Sequence, residues 1–437
     1  MAQILPRDQV GYRRLGTHAC ALVAVVGLAL VGAAFATPAS PVELRIARDG
    51  DSESNRALPA QVPLPLGPLA PMPLATVGSR TQGADQIQAL AFDPRRGLPQ
   101  WLRTTRDTPL WSGADLAAST VGSLPAGDSY VKPLGGFIDT RVQVYFPGDE
   151  GHAAAQAWVD TANVEPSAVP AWVSPTSLGA PQLPAAPRRT GDAPPPDTTA
   201  IHIAIIDDAS GQLIYGEQPN TEVPQASTTK IATTIVALER SPDVSRRIKV
   251  TISATAMANR DGSSTMGIEP GRSVSLDTLL HGMMLPSGND AAEQVAVALA
   301  DSREQYVDWM NLETAALGLK NTHFVNPSGM DAPNHYSSAY DMAMLARYAM
   351  RNSVFRDLAG TSRYTSDGFP MANLNRFLDL YPGADGVKIG FTDAAQKTIV
   401  ASATRDGHHV YVSLMHSQDL VGDCTALFNW VWDNFAW

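Results

Sequence analysis

Two proline-rich stretches limit what this chain can fold into. Residues 58–75 read LPAQVPLPLGPLAPMPLA, and 175–199 contain APRRTGDAPPPDTT. Proline fixes φ and has no backbone N–H, so neither stretch suits a helix interior or a central strand; both should be extended. We read 37–98 as one proline-rich disordered segment and 169–199 as a linker. They set off a small middle domain, 99–168, and a larger C-terminal one, 200–437. A chain of 437 residues is long enough for two or three domains with sizeable cores.

Residues 1–36 precede these pieces and read as a signal peptide or anchor. Arg7, Arg13 and Arg14 form a basic start, 19–36 carry no charge, and Ala34-Phe35-Ala36 is a small-x-small cleavage site. Uncleaved, the apolar run is near the minimum span of a bilayer, which would associate the N-terminus with a membrane. Either fate puts the remainder outside the cytoplasm, secreted, periplasmic or wall-bound. The formal charge of −11 argues against a nucleic-acid partner, which would require a basic patch. Of the two cysteines, Cys20 lies in the export segment and Cys424 in a helical apolar pattern, so neither a disulfide framework nor a cysteine metal site is expected.

The middle domain alternates strand-like runs (108–111, 120–124, 128–131, 141–146 and 156–159) with turns at Ser112-Gly113, Ala126-Gly127 and Gly135-Gly136. That is the pattern of a small β-barrel. In the C-terminal domain, IHIAIID and QLIYG flank a turn and predict a β-hairpin. Helical spacing begins at Ser227 and continues through 276–284, 291–300, 303–317 and 338–350. Strands return at 386–391, 398–403 and 410–415, before a last helix at 420–435. Strands at both ends with helices between them predict an α/β (α+β) fold, one antiparallel sheet covered by helices.

Three short motifs carry chemistry. Ser227-Thr228-Thr229-Lys230 puts a serine and a lysine on one helix face. A serine needs a base to act as a nucleophile, and a lysine serves as one only when burial and a nearby cation lower its pKa. About two S-x-x-K matches arise by chance in a chain of this size. The second, Ser129-Tyr130-Val131-Lys132, lies in a strand pattern that turns its two ends to opposite faces, so Ser129 is set aside. Ser287-Gly288-Asn289 is the chain's one S-x-N, and Lys388-Ile389-Gly390 its one K-x-G. Taken singly, the serine could be a helix cap and the lysine a surface residue. In the order S-x-x-K, S-x-N, K-x-G, at separations of 60 and 101 residues, they form the set of penicillin-binding proteins and class A β-lactamases.

With these motifs and the surrounding MGIEPGRSVSLDTLLHGMMLPSGNDAA, LGLKNTHFVNPSGMDAPNHYSSAYDMAMLARYAM and YPGADGVKIGFT, the C-terminal domain resembles the low-molecular-weight D-alanyl-D-alanine carboxypeptidases. The resemblance implies a β-lactamase/D,D-peptidase-like sheet and a serine hydrolase without metal or cofactor. It implies catalytic Ser227, Lys230 and Ser287, and substrate binding by Asn289, Lys388, Gly390 and Phe391. The backbone N–H groups of Ser227 and Phe391 would hold the oxyanion. Peptidoglycan stem peptides would be substrates and β-lactams covalent inhibitors. The usual Lys-Thr-Gly is here Lys388-Ile389-Gly390, so the hydroxyl that meets the substrate carboxylate is missing; Thr392, nearby, is expected to soften the loss. The additional β-domain and amphipathic anchor of some relatives are not expected after the last helix. The run PLWSGADLAASTVGSLPAGDSYV with AWVDTANV resembles bacterial SH3-like domains, although a generic β-barrel fits the same turns.

Three other readings compete. A class A β-lactamase would need an E-x-x-L-N glutamate between Asn289 and Lys388; Glu313 begins ETAALG and lacks the asparagine. A catalytically weak peptidoglycan-binding protein would have no use for an activated serine. A zinc peptidase would need paired histidine ligands; His408-His409 are expected to be solvated turn residues, and His335 to pack or hydrogen-bond within its loop.

Overall fold

The protein is seen in a computed structural model that describes residues 100–127, 129–148, 153–174 and 183–437. The expected export signal, 1–36, and the whole of the proline-rich segment, 37–98, lie outside the described residues, as do linker residues 175–182.

Seven strands come first: β1 (Trp101–Thr104), β2 (Thr108–Trp111), β3 (Thr120–Leu124), β4 (Tyr130–Ile138), β5 (Arg141–Phe146), β6 (Ala155–Asp160) and β7 (Val164–Ser167). They form one sheet in the order β3-β2-β6-β5-β4-β1-β7, with every pair antiparallel. Leu102, Leu110, Val131, Val142, Val144 and Val159 fill its own core. The turn pattern anticipates the middle strands but not β1 or β7, which pair with each other. Strand β4 also runs on through Gly135-Gly136. Its pairing with β5 slips between Pro133 and Phe137, where Gly135 takes φ +96°. The glycine pair makes a bulge where the sequence suggests a turn.

The rest of the chain contains β8 (Arg188–Arg189), the hairpin β9 (His202–Asp207) and β10 (Leu213–Glu217), α1 (Lys230–Arg240), β11 (Arg247–Lys249), α2 (Ala254–Asp261) and β12 (Ser273–Ser275). Helices α3 (Leu276–Met284), α4 (Asn289–Leu299), α5 (Arg303–Ala316), α6 (Ala339–Ala349) and α7 (Ser353–Gly360) follow. Then come β13 (Arg363–Ser366), β14 (Phe369–Ala372), α8 (Phe377–Leu380), β15 (Ala384–Thr392), β16 (Gln396–Arg405), β17 (His408–Ser417), α9 (Leu420–Asn434) and β18 (Phe435–Ala436).

The main sheet is antiparallel in the order β10-β9-β17-β16-β15. Successive side chains of a strand point to opposite faces, and β9 uses both. Ala204 and Ile206 face the large core with α1 and α3–α6, while Ile203 and Ile205 face a second core with Leu427, Phe428 and Val431 of α9. Burial on both faces explains why IHIAIID is almost continuously apolar. The expected sheet covered by helices is present, and its edge strand β15 carries Lys388, Ile389 and Gly390.

The expected linker, where described, is packed rather than free. Strand β8 pairs with β18, the Trp430 indole N–H donates to the Ala193 carbonyl at 2.9 Å, and Thr199 N–H donates to Asp423 at 2.9 Å. Val173 and Trp101 share the large core, and Trp101 donates to the Ala316 carbonyl at 2.6 Å.

Candidate active site

Ser227 sits in a 3₁₀ turn, Ala226–Thr229, and the α-helix proper starts only at Lys230. The sequence suggests that the helix opens at the serine. The tighter turn serves better, because at three residues per turn positions i and i+3 eclipse. Lys230 Nζ donates to Ser227 Oγ at 2.8 Å. Ala226 enters the turn with φ +50°, which only a tightly supported non-glycine residue adopts. Its support is Gly329 (φ +90°), where a Cβ would lie 2.0 Å from the Ala226 oxygen.

Lys230 is fully buried. It donates to Asn289 Oδ1 at 2.7 Å and to the Ser328 carbonyl. Burial, followed by the positive charge of Lys388, pushes its pKa well below that of a free lysine. Asn289 opens α4, and its amide donates to Ser263 Oγ at 3.2 Å. Its neighbour Asp290 accepts from the backbone N–H groups of Met266, Gly267 and Ile268, fixing that loop over the cleft.

Ser287 also takes a left-handed backbone, φ +63°. Lys388 Nζ donates to Ser287 Oγ at 3.0 Å and to the Ile389 carbonyl at 2.9 Å. Lys388 is 1% exposed, and burial lowers its pKa to about 7. Gly390 lies against the Ser227 backbone: a Cβ there would be 2.7 Å from Ser227 N and 2.6 Å from Thr398 Oγ1. Ser227, Ser287, Asn289, Ile389, Gly390 and Phe391 all line one cavity of about 710 Å³, with the Phe391 ring largely exposed.

All seven residues named from the sequence therefore border this cleft or touch a residue that does. Thr392 does not do what the sequence suggests. Its hydroxyl donates to Asp331 Oδ1 at 2.7 Å, which commits its proton to a carboxylate, and Ile389 gives the wall an apolar surface. The Asn326-Pro327-Ser328-Gly329 turn is the part that motif reading missed. Asn326 Oδ1 accepts from the Ser328, Gly329 and Met330 N–H groups, and this turn supplies the carbonyl that holds Lys230. Its only signal in the sequence is a cluster of turn-forming residues.

The histidines divide. His335 is buried between Gln225, Thr229 and the Val325 N–H, and burial lowers its pKa to about 4. His409 is not a solvated turn residue: the Asp208 and Asp385 carboxylates outweigh its burial and raise its pKa to about 9. His408 stacks on Trp437. Cys424 is buried among apolar residues, which drives its thiol pKa up. Among the described residues no group of three or more His, Cys, Asp or Glu could hold a metal ion.

The profile of the D-alanyl-D-alanine carboxypeptidases matches residues 189–419. The chain is 34% identical over 252 residues to a D-alanyl-D-alanine carboxypeptidase of Mycobacterium tuberculosis, DacB2, covering 55% of this chain and 84% of that one. It is 34% identical over 206 residues to DacF, the same kind of protein in Bacillus subtilis, covering 46% of this chain; there it spans about half of the relative's length, 53%. The Streptomyces K15 DD-transpeptidase structure superposes with a TM-score of 0.52 at 29% identity, covering 55% of this chain and all of that one. Together with the convergence of S-x-x-K, S-x-N and K-x-G on one cleft, these likenesses identify the fold and its lineage: the chain belongs to the D-alanyl-D-alanine carboxypeptidase family.

Proposed function

We propose that this protein is a serine-type D-Ala-D-Ala carboxypeptidase acting on peptidoglycan stem peptides. The observation that carries this reading is a fully buried lysine, of depressed pKa, 2.8 Å from a serine hydroxyl that opens onto a cavity. In this reading neutral Lys230 takes the Ser227 proton as Oγ attacks the penultimate D-Ala carbonyl. The Ser227 and Phe391 N–H groups stabilise the oxyanion. Protonated Lys388 holds the terminal carboxylate, and Ser287, bonded to it, relays the proton from Lys230 to the departing D-Ala nitrogen, which leaves Lys230 neutral again. Asn289 keeps Lys230 aimed at Ser227 and bonds the substrate amide. Water then cleaves the acyl-enzyme with Lys230 again as base. β-Lactams, which carry a strained acyl bond and a carboxylate, should acylate the same serine.

We assign 99–168 to an SH3-like module, 169–199 to a connecting segment and 200–437 to the catalytic domain. The seven-stranded sheet with its own core supports the first of these. The export signal read at 1–36 fits an extracytoplasmic substrate, whether the signal is cleaved or stays as an anchor.

The test is to incubate the full chain with a fluorescent penicillin and locate the adduct by peptide mass. We expect a stable adduct on Ser227, none in Ser227→Ala, and D-Ala release from a stem pentapeptide. A folded chain with neither adduct nor release would refute the reading; rapid β-lactam hydrolysis without D-Ala release would favour a β-lactamase.

Ile389 tests the carboxylate site. An added hydroxyl can bond a charged group for roughly 1.5–3 kcal/mol, so Ile389→Thr should tighten binding of a D-Ala-terminated peptide by about tenfold or more. Unchanged KM and acylation rate would mean that Lys388 alone recognises that end.

A further inference from the structure

One buried charge has no part in the mechanism above. Lys132, on β4 of the first sheet, is 3% exposed and reaches across to the catalytic helices. Its ammonium donates to Glu239 Oε1 at 2.5 Å and to both Glu313 oxygens at 2.7 and 2.6 Å. Glu239, next to last in α1, is 3% exposed; Glu313, on α5, is 6% exposed. The Tyr348 hydroxyl of α6 donates to the same Glu239 oxygen at 2.7 Å. The ammonium lies 4.6 Å from the Tyr348 ring centroid and 5.6 Å from that of Tyr145 on β5. Next to it, Arg240 of α1 donates to the Leu134 carbonyl of β4 and covers Trp309.

Two carboxylates buried side by side repel each other and lack water. They remain ionised together only with an inserted cation. Here that cation comes from a different sheet, more than a hundred residues away in sequence. Helix α1 begins with the base Lys230 and ends at the clamped Glu239–Arg240 turn, about 14 Å further along its axis. It is buried along nearly its whole length and so moves as one body. A tilt at one end displaces Lys230 from Ser227 and Asn289 at the other.

We propose that Lys132 is a positioning residue for the active site, and that the first sheet is a fixed part of the catalytic unit rather than a tethered wall-binding module. The inference rests on the carboxypeptidase reading. Glu239 is already raised to about 7 by burial and by Glu313, and the other groups facing it are Tyr348, Tyr145, Tyr306 and Arg240. Without Lys132 that value rises further. At low pH a protonated Glu239 relieves the repulsion; as pH rises, keeping the pair together becomes costlier.

The experiment compares full-length wild type, Lys132→Met, Lys132→Arg and Lys132→Met/Glu239→Gln for acylation by fluorescent penicillin. Relative to wild type at the same pH, Lys132→Met should be slower by about tenfold at roughly pH 8.5 and within about threefold at roughly pH 6. The double variant, which removes one charge of the pair, should stay within about threefold at both pH values. Lys132→Arg should fall between, since its larger planar head does not fit the ammonium's place. If Lys132→Met does not fold, the double variant carries the test, and its failure to fold or to be acylated overturns the inference. A Lys132→Met rate that is normal, or reduced equally at both pH values, also overturns it. A folded wild type that penicillin does not acylate overturns the carboxypeptidase reading itself, and this inference with it.

Discussion

Lys230→Met should acylate with penicillin roughly a thousandfold more slowly than wild type, because general-base assistance contributes typically about 10²–10⁴ in rate. Methionine keeps the length and apolar stem of the lysine, so the packing around α1 survives. The lost amino group leaves the Asn289 and Ser328 oxygens short of a donor, which should cost about 1–3 kcal/mol in stability. A slow but folded variant, followed by gel fluorescence and thermal unfolding, would separate the two effects. A variant acylated at the wild-type rate would exclude Lys230 as the base.

The same lysine predicts how wild type depends on pH. Only neutral Lys230 accepts a proton, and burial together with Lys388 lowers its pKa, so the neutral fraction grows as pH rises through that lowered value. Lys388 must instead be charged to hold a carboxylate. Burial brings it to about 7, so its charge is lost as pH rises through that value. The second-order acylation rate, which reports the free enzyme, should therefore fall on the alkaline side from near 7. In the complex the bound carboxylate favours charged Lys388, and the falling limb of the first-order rate should move to higher pH. A limb at the same pH in both would mean that Lys388 does not meet the carboxylate.

The second large effect is expected at Gly390. Its place on β15 brings the strand's backbone against Ser227, and an added methyl would meet Ser227 N at 2.7 Å, Thr398 Oγ1 at 2.6 Å and the Ala226 Cβ at 2.9 Å. Two of these are parts of the turn that aims Ser227, and Thr398 Oγ1 is tied to the Gln225 carbonyl at 3.1 Å. Something must move, and each candidate bears on the proposed oxyanion site. Gly390→Ala should cut acylation by about 10²–10³, the usual cost of removing one oxyanion donor. Overpacking should take about 1–3 kcal/mol from stability. Near-normal acylation would place the oxyanion elsewhere.

Much of the site was legible because its parts are local. Ser227 and Lys230 are one turn apart, and alternating Val387, Ile389 and Phe391 in β15 and short, nearly continuous apolar runs in β16 and β17 mark those strands whatever lies around them. The less legible parts depend on distant partners. Strands β1 and β7, no shorter than the anticipated β2, are set by pairing: β7 with β1, and β1 also with β4. Arg188-Arg189 reads as part of a linker, yet the end of the chain supplies a strand for it. Thr392 reads as a spare hydroxyl until Asp331 claims its proton.

The sequence by itself determined the chemistry on offer: a serine with a lysine one turn on, a serine and an asparagine at a helix start, and a lysine and a glycine on a strand. Those follow from short-range spacing, which backbone geometry converts directly into shared faces. Only the tertiary structure decided that segments 60 and 101 residues apart close on one cavity, that burial lowers the Lys230 pKa, and that Lys132 lies between two glutamates. Desolvation and ion pairing depend on what surrounds a charge in space, and in this fold those surroundings come from elements far apart in the chain.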